Sequence, residues 1–264
     1  MKRFKYLWLT DPHLLPWNRY RMLGSILDEK PVGVFATGDL SYGPTLISDL
    51  EFLGKRIGRP FYFVLGNHDY HGSSFVEVHR KIRELCEKYR NLIWMTDAGV
   101  ISLTEEVAVI GAEGWYDARV GNPEFIKYTF DWMLTSEFKS LPTWQERLDK
   151  FKTLADASAA HLTKNLEAAM ENHKVIYLLT HFPCWKEANR YNGIISENFW
   201  APYNTNYILG KELEKVMVEH KKRNLIVLAG HTHQAMQIHV SRNIECRVGR
   251  GAYHKLSEEE IIYI

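Results

Sequence analysis

Three short apolar runs, Phe4–Thr10, Val32–Thr37 and Pro60–Leu65, stand near the beginning of the chain, and each stops at a polar cluster rich in Asp, Asn and His. Between them the apolar spacing turns helical over Tyr20–Glu29 and Thr45–Ile57. A third helical pattern follows at Phe75–Tyr89, where Phe75, Val78, Ile82 and Leu85 recur on one face with charges between them. Continuous apolar runs are what a sheet covered on both faces buries. Strand–helix alternation of this kind restricts the chain to an α/β fold. It also puts the polar clusters where strands emerge into loops, the place where open α/β folds hold their ligands.

Further strands are predicted at Gly99–Leu103, Val107–Gly111, Lys174–Thr180 and Leu225–Ala229, with shorter candidates toward the C-terminus. A long helix is predicted to carry Leu148, Phe151, Leu154, Ala155, Ala159, Leu162 and Leu166 on one side and to end near Asn172, and another covers Tyr207–His220. Two stretches break the pattern. Residues 114–146 hold Trp115, Tyr116, Phe125, Tyr128, Phe130, Trp132, Phe138 and Trp144, and residues 184–207 hold Trp185, Tyr191, Trp200, Tyr203 and Tyr207. Such clusters read either as satellite core or as a cap over a site, stacking on a ring of the substrate. With no repeat, low-complexity tract or linker, residues 1–264 read as one domain with these two excursions.

Bulk properties exclude several classes. The net charge of +1 offers no general attraction to nucleic acid or anionic membrane, so no long nucleic acid is expected as a partner. The one dense basic run, Lys221-Lys222-Arg223, sits at a helix end, where cations favour the helix dipole. The 3 cysteines, Cys86, Cys184 and Cys246, are odd in number and far apart, which argues against a disulfide framework and for a reducing compartment. Lys2, Arg3 and Lys5 precede an apolar stretch far too short for a signal peptide, and no stretch approaches a membrane span. A cytoplasmic protein with no membrane contact is expected.

The polar clusters carry the chemistry. Asp11-Pro12-His13 follows the first strand; on an extended strand end, residues two apart face one way, so a carboxylate and an imidazole could share an ion. Asp11 could equally cap a turn ahead of Pro12. Gly38-Asp39 follows the second strand, where glycine leaves room beside a carboxylate able to bridge two cations; by itself it also reads as a turn. Gly66-Asn67-His68-Asp69 follows the third strand and offers an amide, an imidazole and a carboxylate able to orient that imidazole, against the ordinary Gly-Asn turn. His181 ends the strand Lys174–Thr180, and Gly230-His231-Thr232-His233 ends Leu225–Ala229, with two imidazoles two apart on an extended segment. Mixed N and O donors without thiolate suit Mn, Fe, Zn, Ni or Co. Of the other histidines, His71 and His254 are the two placed near enough to a motif or loop to touch substrate.

Taken together, the order D-x-H, G-D, G-N-H-D, H, G-H-x-H resembles the calcineurin-like metallophosphoesterase superfamily, and the match spans residues 11 to 233. The resemblance implies a four-layer α-β-β-α sandwich of two mixed sheets flanked by helices. It implies one metal site of Asp11, His13, Asp39 and His233 and a second of Asp39, Asn67, His181 and His231, bridged by Asp39, with two divalent or trivalent ions, Mn or Fe first. It further implies that His68 faces the substrate as the proton donor, with Asp69 as its partner. Two cations about 3.5–4 Å apart clamp the attacking and leaving oxygens of an in-line displacement at phosphorus. The expected activity is therefore hydrolysis of small phosphate esters, with phosphodiester or nucleotide-like substrates placed first. The arginines that clamp phosphate in the Ser/Thr protein phosphatase branch are missing, since the chain reads Gly38-Asp39-Leu40-Ser41-Tyr42 and Leu65 precedes Gly66. The alternatives are a nuclease acting on short ends and, of another class, a non-catalytic module of the same fold that binds a partner protein.

Overall fold

The computed structural model describes residues 3–191, 193–195, 198–251 and 260–264; His254 and the side chains of Tyr128 and Tyr191 lie outside the described residues. Alternation along the strands decides the layering. In β1 (Lys5–Leu9), Leu7 and Leu9 turn to one face and Tyr6 and Trp8 to the other, and both faces are buried. β2 (Gly33–Thr37), β3 (Phe61–Val64) and β4 (Leu92–Trp94) lie beside β1 in parallel, and β13 (Glu260–Tyr263) pairs antiparallel on its other edge. The five-stranded order is β13-β1-β2-β3-β4.

A second sheet has six strands. Its parallel centre is β6 (Val107–Gly111), β7 (Val175–Leu179), β10 (Asn224–Ala229) and β12 (Ile244–Val248), with β5 (Ile101–Ser102) and β11 (Met236–Ser241) antiparallel at the two edges. The sheets pack face to face through Tyr6, Trp8, Phe35, Tyr62 and Val64 on one side and Val109, Tyr177, Leu179 and Leu228 on the other. The outer face of the first sheet is covered by α1 (Arg19–Glu29), α2 (Gly43–Gly54) and α3 (Phe75–Lys88). After the short α4 (Met95–Ala98), α5 (Asp131–Leu134) and α6 (Ser136–Lys139) comes α7 (Trp144–Asn172), and after α8 (Ala201–Asn204) comes α9 (Tyr207–Glu219). The helices α7 and α9 cover the second sheet through Leu162, Leu166, Leu209 and Leu213. This is the expected four-layer α-β-β-α sandwich of two mixed sheets. No helix among the described residues is long and apolar enough to cross a membrane.

The helix starts have local causes. Ser74 accepts from the Glu77 N–H ahead of α3, and Thr143 and Glu146 form a reciprocal capping box ahead of α7. Leu148 and Phe151 of α7 join the first sheet's outer cluster, while Ala159 to Met170 join the second's, so this one helix ties the two layers. The aromatic excursion before it is mostly core. Trp115, Tyr116, Trp132 and Phe138 are buried, and the Tyr116 and Phe138 rings stack on Phe151 at 4.3 and 4.2 Å. From the second excursion a small hairpin, β8 (Arg190–Tyr191) with β9 (Ile194–Ile195), leads to α8. The β4 strand has no counterpart in the sequence reading, because three residues are too few for alternation to show.

Candidate metal centre

All seven candidate ligands arrive at one edge of the sandwich, on loops that follow the C-terminal ends of β1, β2, β3, β7 and β10. Asp11 and His13 do not sit on an extended strand end, however, and neither do His231 and His233. β1 stops at Leu9 and β10 at Ala229, and Asp11, His13, Asp39, His231 and His233 have φ of 48°, 40°, 47°, 67° and 55°. Left-handed backbone aims these side chains inward, a correction to the same-face argument from extended spacing. Asp and His tolerate that region better than most residues, but each such position costs about 1–3 kcal/mol. Only two other non-glycine residues described, Lys30 and Ala118, share it, so the strain is concentrated at the site. The glycines have a related reason. Gly38 has φ of 91°, and a Cβ on it would meet His181 Nδ1 at 2.5 Å, while one on Gly66 would overlap the Asp39 carboxylate.

Two groups of donor atoms form around Asp39. Asp11, His13, Asp39 and His233 offer ligand atoms within 4.8 Å of one another, and so do Asp39, His181 and His231. In the first group Asp11 Oδ1 lies 3.2 Å from His233 Nε2, His13 Nε2 3.4 Å from His233 Nε2, and Asp39 Oδ2 3.8 Å from His13 Nε2. In the second, Asp39 Oδ1 lies 3.4 Å from His181 Nε2, so the two oxygens of one carboxylate face different groups.

Hydrogen bonds outside the groups fix which atoms point in. His181 Nδ1 donates to the Thr37 carbonyl at 2.9 Å, which leaves Nε2 as the lone-pair nitrogen. The Asn67 Nδ2 donates to Asp131 at 2.9 Å, which turns the Asn67 Oδ1 toward His181 Nε2, 3.1 Å away. Two lone-pair atoms, Asn67 Oδ1 and His181 Nε2, thus face each other with no proton between them. The His231 Nε2 of the same group is buried without a hydrogen-bond partner. A cation between these atoms satisfies all of them, so the residues present fit a pair of metal ions.

Burial, then Asp11 and Asp69, hold the Asp39 carboxyl well above the usual carboxylate range. Burial pushes His13 down to about 3 and lowers His181 and His231, which keeps these rings neutral and available as ligands. Burial also opposes charge on Asp11, but the His233 hydrogen bond and the surrounding imidazoles outweigh it and lower its pKa.

His68 stands at the open side of the centre, its Nε2 3.9 Å from Asp39 Oδ2 and its side chain 18% exposed. Burial, then His71, bring it down to about 3, so without an anion beside it the ring rests neutral. The expected pairing of Asp69 with His68 also needs correction. The Asp69 carboxylate accepts from the backbone N–H groups of Gly66, Ser41 and Leu40 at 2.8, 2.9 and 3.2 Å, which ties the Asp39 loop to the Asn67 loop. A buried acceptor draws free N–H groups more readily than it reaches the next side chain along the chain.

One contributor escaped the sequence reading. Asp131 of α5 is buried and accepts from Asn67, from His71 Nε2 at 2.7 Å and from the Tyr116 hydroxyl at 3.0 Å. His71 is therefore partnered to Asp131, with its ring 4.6 Å from that of His68. A lone Asp between Phe130 and Trp132 was the available signal. Trp185 lies away from the centre, buried against α9 with its Nε1 donating to Glu214 at 2.7 Å. From that excursion Tyr203 reaches the ligands, its ring 5.1 Å from His231.

An α/β sandwich with two metal-competent groups sharing one carboxylate defines a class, and the comparisons place the chain within it. The chain matches the model of the calcineurin-like phosphoesterases over residues 4–235 and belongs to that family. No curated protein matches it. Among solved structures it is similar to the phosphopantetheinyl hydrolase from Mycobacterium tuberculosis, with TM-score 0.65, 11% identity and coverage of 94% of this chain and 89% of that one. It is similar also to a dimetal phosphatase from Danio rerio, with TM-score 0.61, 12% identity and coverage of 99% and 98%. A third likeness is to GAP50, the anchor in the inner membrane complex of Plasmodium, with TM-score 0.52, 12% identity and coverage of 100% and 84%. At these identities the likeness is one of fold, and the fold alone does not separate an enzyme from an anchor.

Proposed function

We propose that this family member hydrolyses small phosphate esters, phosphodiesters or nucleotide-like compounds first, at a centre of two ions, Mn or Fe. Asp11, His13, Asp39 and His233 hold one ion and Asp39, Asn67, His181 and His231 the other. The observation that carries this reading is the Asp39 carboxylate, buried, with one oxygen turned to each ligand group. When bound, such a pair of ions clamps the reacting oxygens and lowers the pKa of water toward neutrality.

The chain's own residues do the rest. Asn67 is oriented by Asp131, and His181 by the Thr37 carbonyl. Asp69 holds the two loops that carry Asp39 and Asn67 at a fixed separation. His68 Nε2 delivers a proton to the leaving oxygen, its protonation favoured by the negative charge of a phosphoester beside it, a contribution of about 10²–10⁴-fold. Cys86, Cys184 and Cys246 are free thiols, which supports a reducing compartment, the cytoplasm.

Metal analysis of the purified protein, with hydrolysis of a chromogenic phosphodiester and a chromogenic monoester in added Mn²⁺, tests the reading. About two ions per chain and turnover of the diester are expected. No bound metal and no turnover of either ester would leave a binding module of the same fold.

A further inference from the structure

Beside the metal centre lies a cavity of about 260 Å³ lined in part by His231 and His233. The second aromatic excursion lines it through Asn189, Arg190, Trp200 and Tyr203, together with Thr232. Asn204 and Gln234 complete the lining, and three of its polar groups have donors without a partner. Asn189 is 1% exposed, and its Oδ1 accepts from Asn204 Nδ2 at 3.0 Å, which fixes the amide and leaves its Nδ2 without a partner. The Arg190 Nε is buried and likewise unpartnered, and its Nη1 makes a single hydrogen bond to the Gly193 carbonyl at 3.2 Å. The Thr232 hydroxyl is also buried and unpartnered. Among the described residues no carboxylate pairs with Arg190 and none lines the cavity.

A half-buried guanidinium with no carboxylate partner and a fixed, buried amide N–H favour an acceptor-rich, anionic guest, because the Arg190 Nε and Asn189 Nδ2 donors are otherwise left unsatisfied. The planar fork of arginine matches phosphate oxygens in particular. His231 and His233 line the same cavity, so a guest there lies next to the metal centre. The rings of Trp200 and Tyr203, 5.8 Å apart, leave an apolar flank for the organic part beyond it. The Gly38-Asp39 and Gly66-Asn67 loops carry no phosphate-clamping arginine, whereas Arg190 lines the cavity.

We propose that Asn189, Arg190 and Thr232 form a subsite for a second phosphoryl group, so that the preferred substrates are diesters of diphosphate, R–O–P–O–P–O–R′. This rests on the hydrolytic reading of the centre. One water is consumed: its oxygen bonds to the phosphorus at the centre, the bridging P–O bond breaks, and its two protons end one on each phosphomonoester. Arg190 and Asn189 stabilise the departing phosphate.

The test compares di(adenosine-5′) diphosphate with bis(p-nitrophenyl) phosphate, on full-length wild type and on Arg190→Ala and Arg190→Lys, each with Mn²⁺ and each checked for unchanged thermal unfolding. Wild type is expected to prefer the diphosphate and to release only AMP. The ratio of kcat/KM between the two substrates is expected to fall about 10–100-fold in Arg190→Ala, the usual loss for a charge-assisted hydrogen bond, with a smaller fall in Arg190→Lys. Hydrolysis of the single-phosphorus diester without preference for the diphosphate, or an unchanged ratio in both variants, overturns the subsite and leaves the hydrolytic reading standing. If wild type turns over neither compound, the hydrolytic reading fails, and the subsite is read by calorimetry with ADP and AMP. Tighter binding of ADP that is lost in Arg190→Ala sustains it, and equal affinities overturn it.

Discussion

At Asp39, burial and the neighbouring Asp11 and Asp69 all oppose a negative charge, and the carboxylate is nonetheless shared between two sets of inward-facing lone pairs. Replacing one oxygen by an amide removes the bridge. Asp39→Asn is expected to bring metal content below two ions per chain and to cut kcat/KM by at least about 10²-fold, read by elemental analysis and by diester turnover. His68→Ala is expected to keep both ions and to slow esters with poor leaving groups most, by about 10²–10⁴-fold, with a smaller effect on p-nitrophenyl esters. Loss of metal in that variant would show that His68 is a ligand. Asp131 acts one step further out. Asp131→Ala frees the Asn67 amide to rotate, and the affinity for the second ion is expected to drop about 10–100-fold in a calorimetric Mn²⁺ titration while the first is little changed. Equal weakening of both ions would point to a general loss of structure instead.

The elements matter to the site through the length of their connections. Each ligand loop starts where a strand stops, and five strands from two sheets end at the same edge, so the centre spans both sheets and the interface between them. Helix α7 joins the outer clusters of the two sheets, and its start depends on the Thr143–Glu146 capping box. Thr143→Ala is expected to cost about 1 kcal/mol, a fall of roughly 2–4 °C in Tm for a domain of this size, with kcat unchanged. At this scale the strands β1, β2, β3, β6, β7 and β10 were legible as apolar runs, to within one or two residues. The helices α1, α2, α3, α7 and α9 were legible from their periodicity. The region around α5 and α6 was not, since helices of four residues are shorter than the period that would announce them.

For the whole molecule, strained ligand loops and converging lone pairs mean that bound cations stabilise the fold. At a free Mn²⁺ concentration 100 times the Kd, the gain is about 2.7 kcal/mol, or roughly 5–11 °C in Tm, reversed by EDTA. A Tm insensitive to metal would argue against the centre. The chain's pattern of apolar runs and periodic helices, with Asp, Asn or His after each run, determined the layer architecture, the family and the seven residues that converge. These are properties of local spacing and residue type, and they survive in a one-dimensional reading. What only the tertiary structure decided is how those residues converge and what surrounds them. The left-handed backbone at Asp11, His13, Asp39, His231 and His233 replaces the extended spacing expected there. Asp69 turns to backbone N–H groups instead of to His68, and Asp131 reaches Asn67 from a segment with no motif. Such contacts join residues 28 to more than 100 positions apart, as in Asp69 with Ser41 or His181 with Asn67, and their geometry is set by packing, which sequence spacing does not encode.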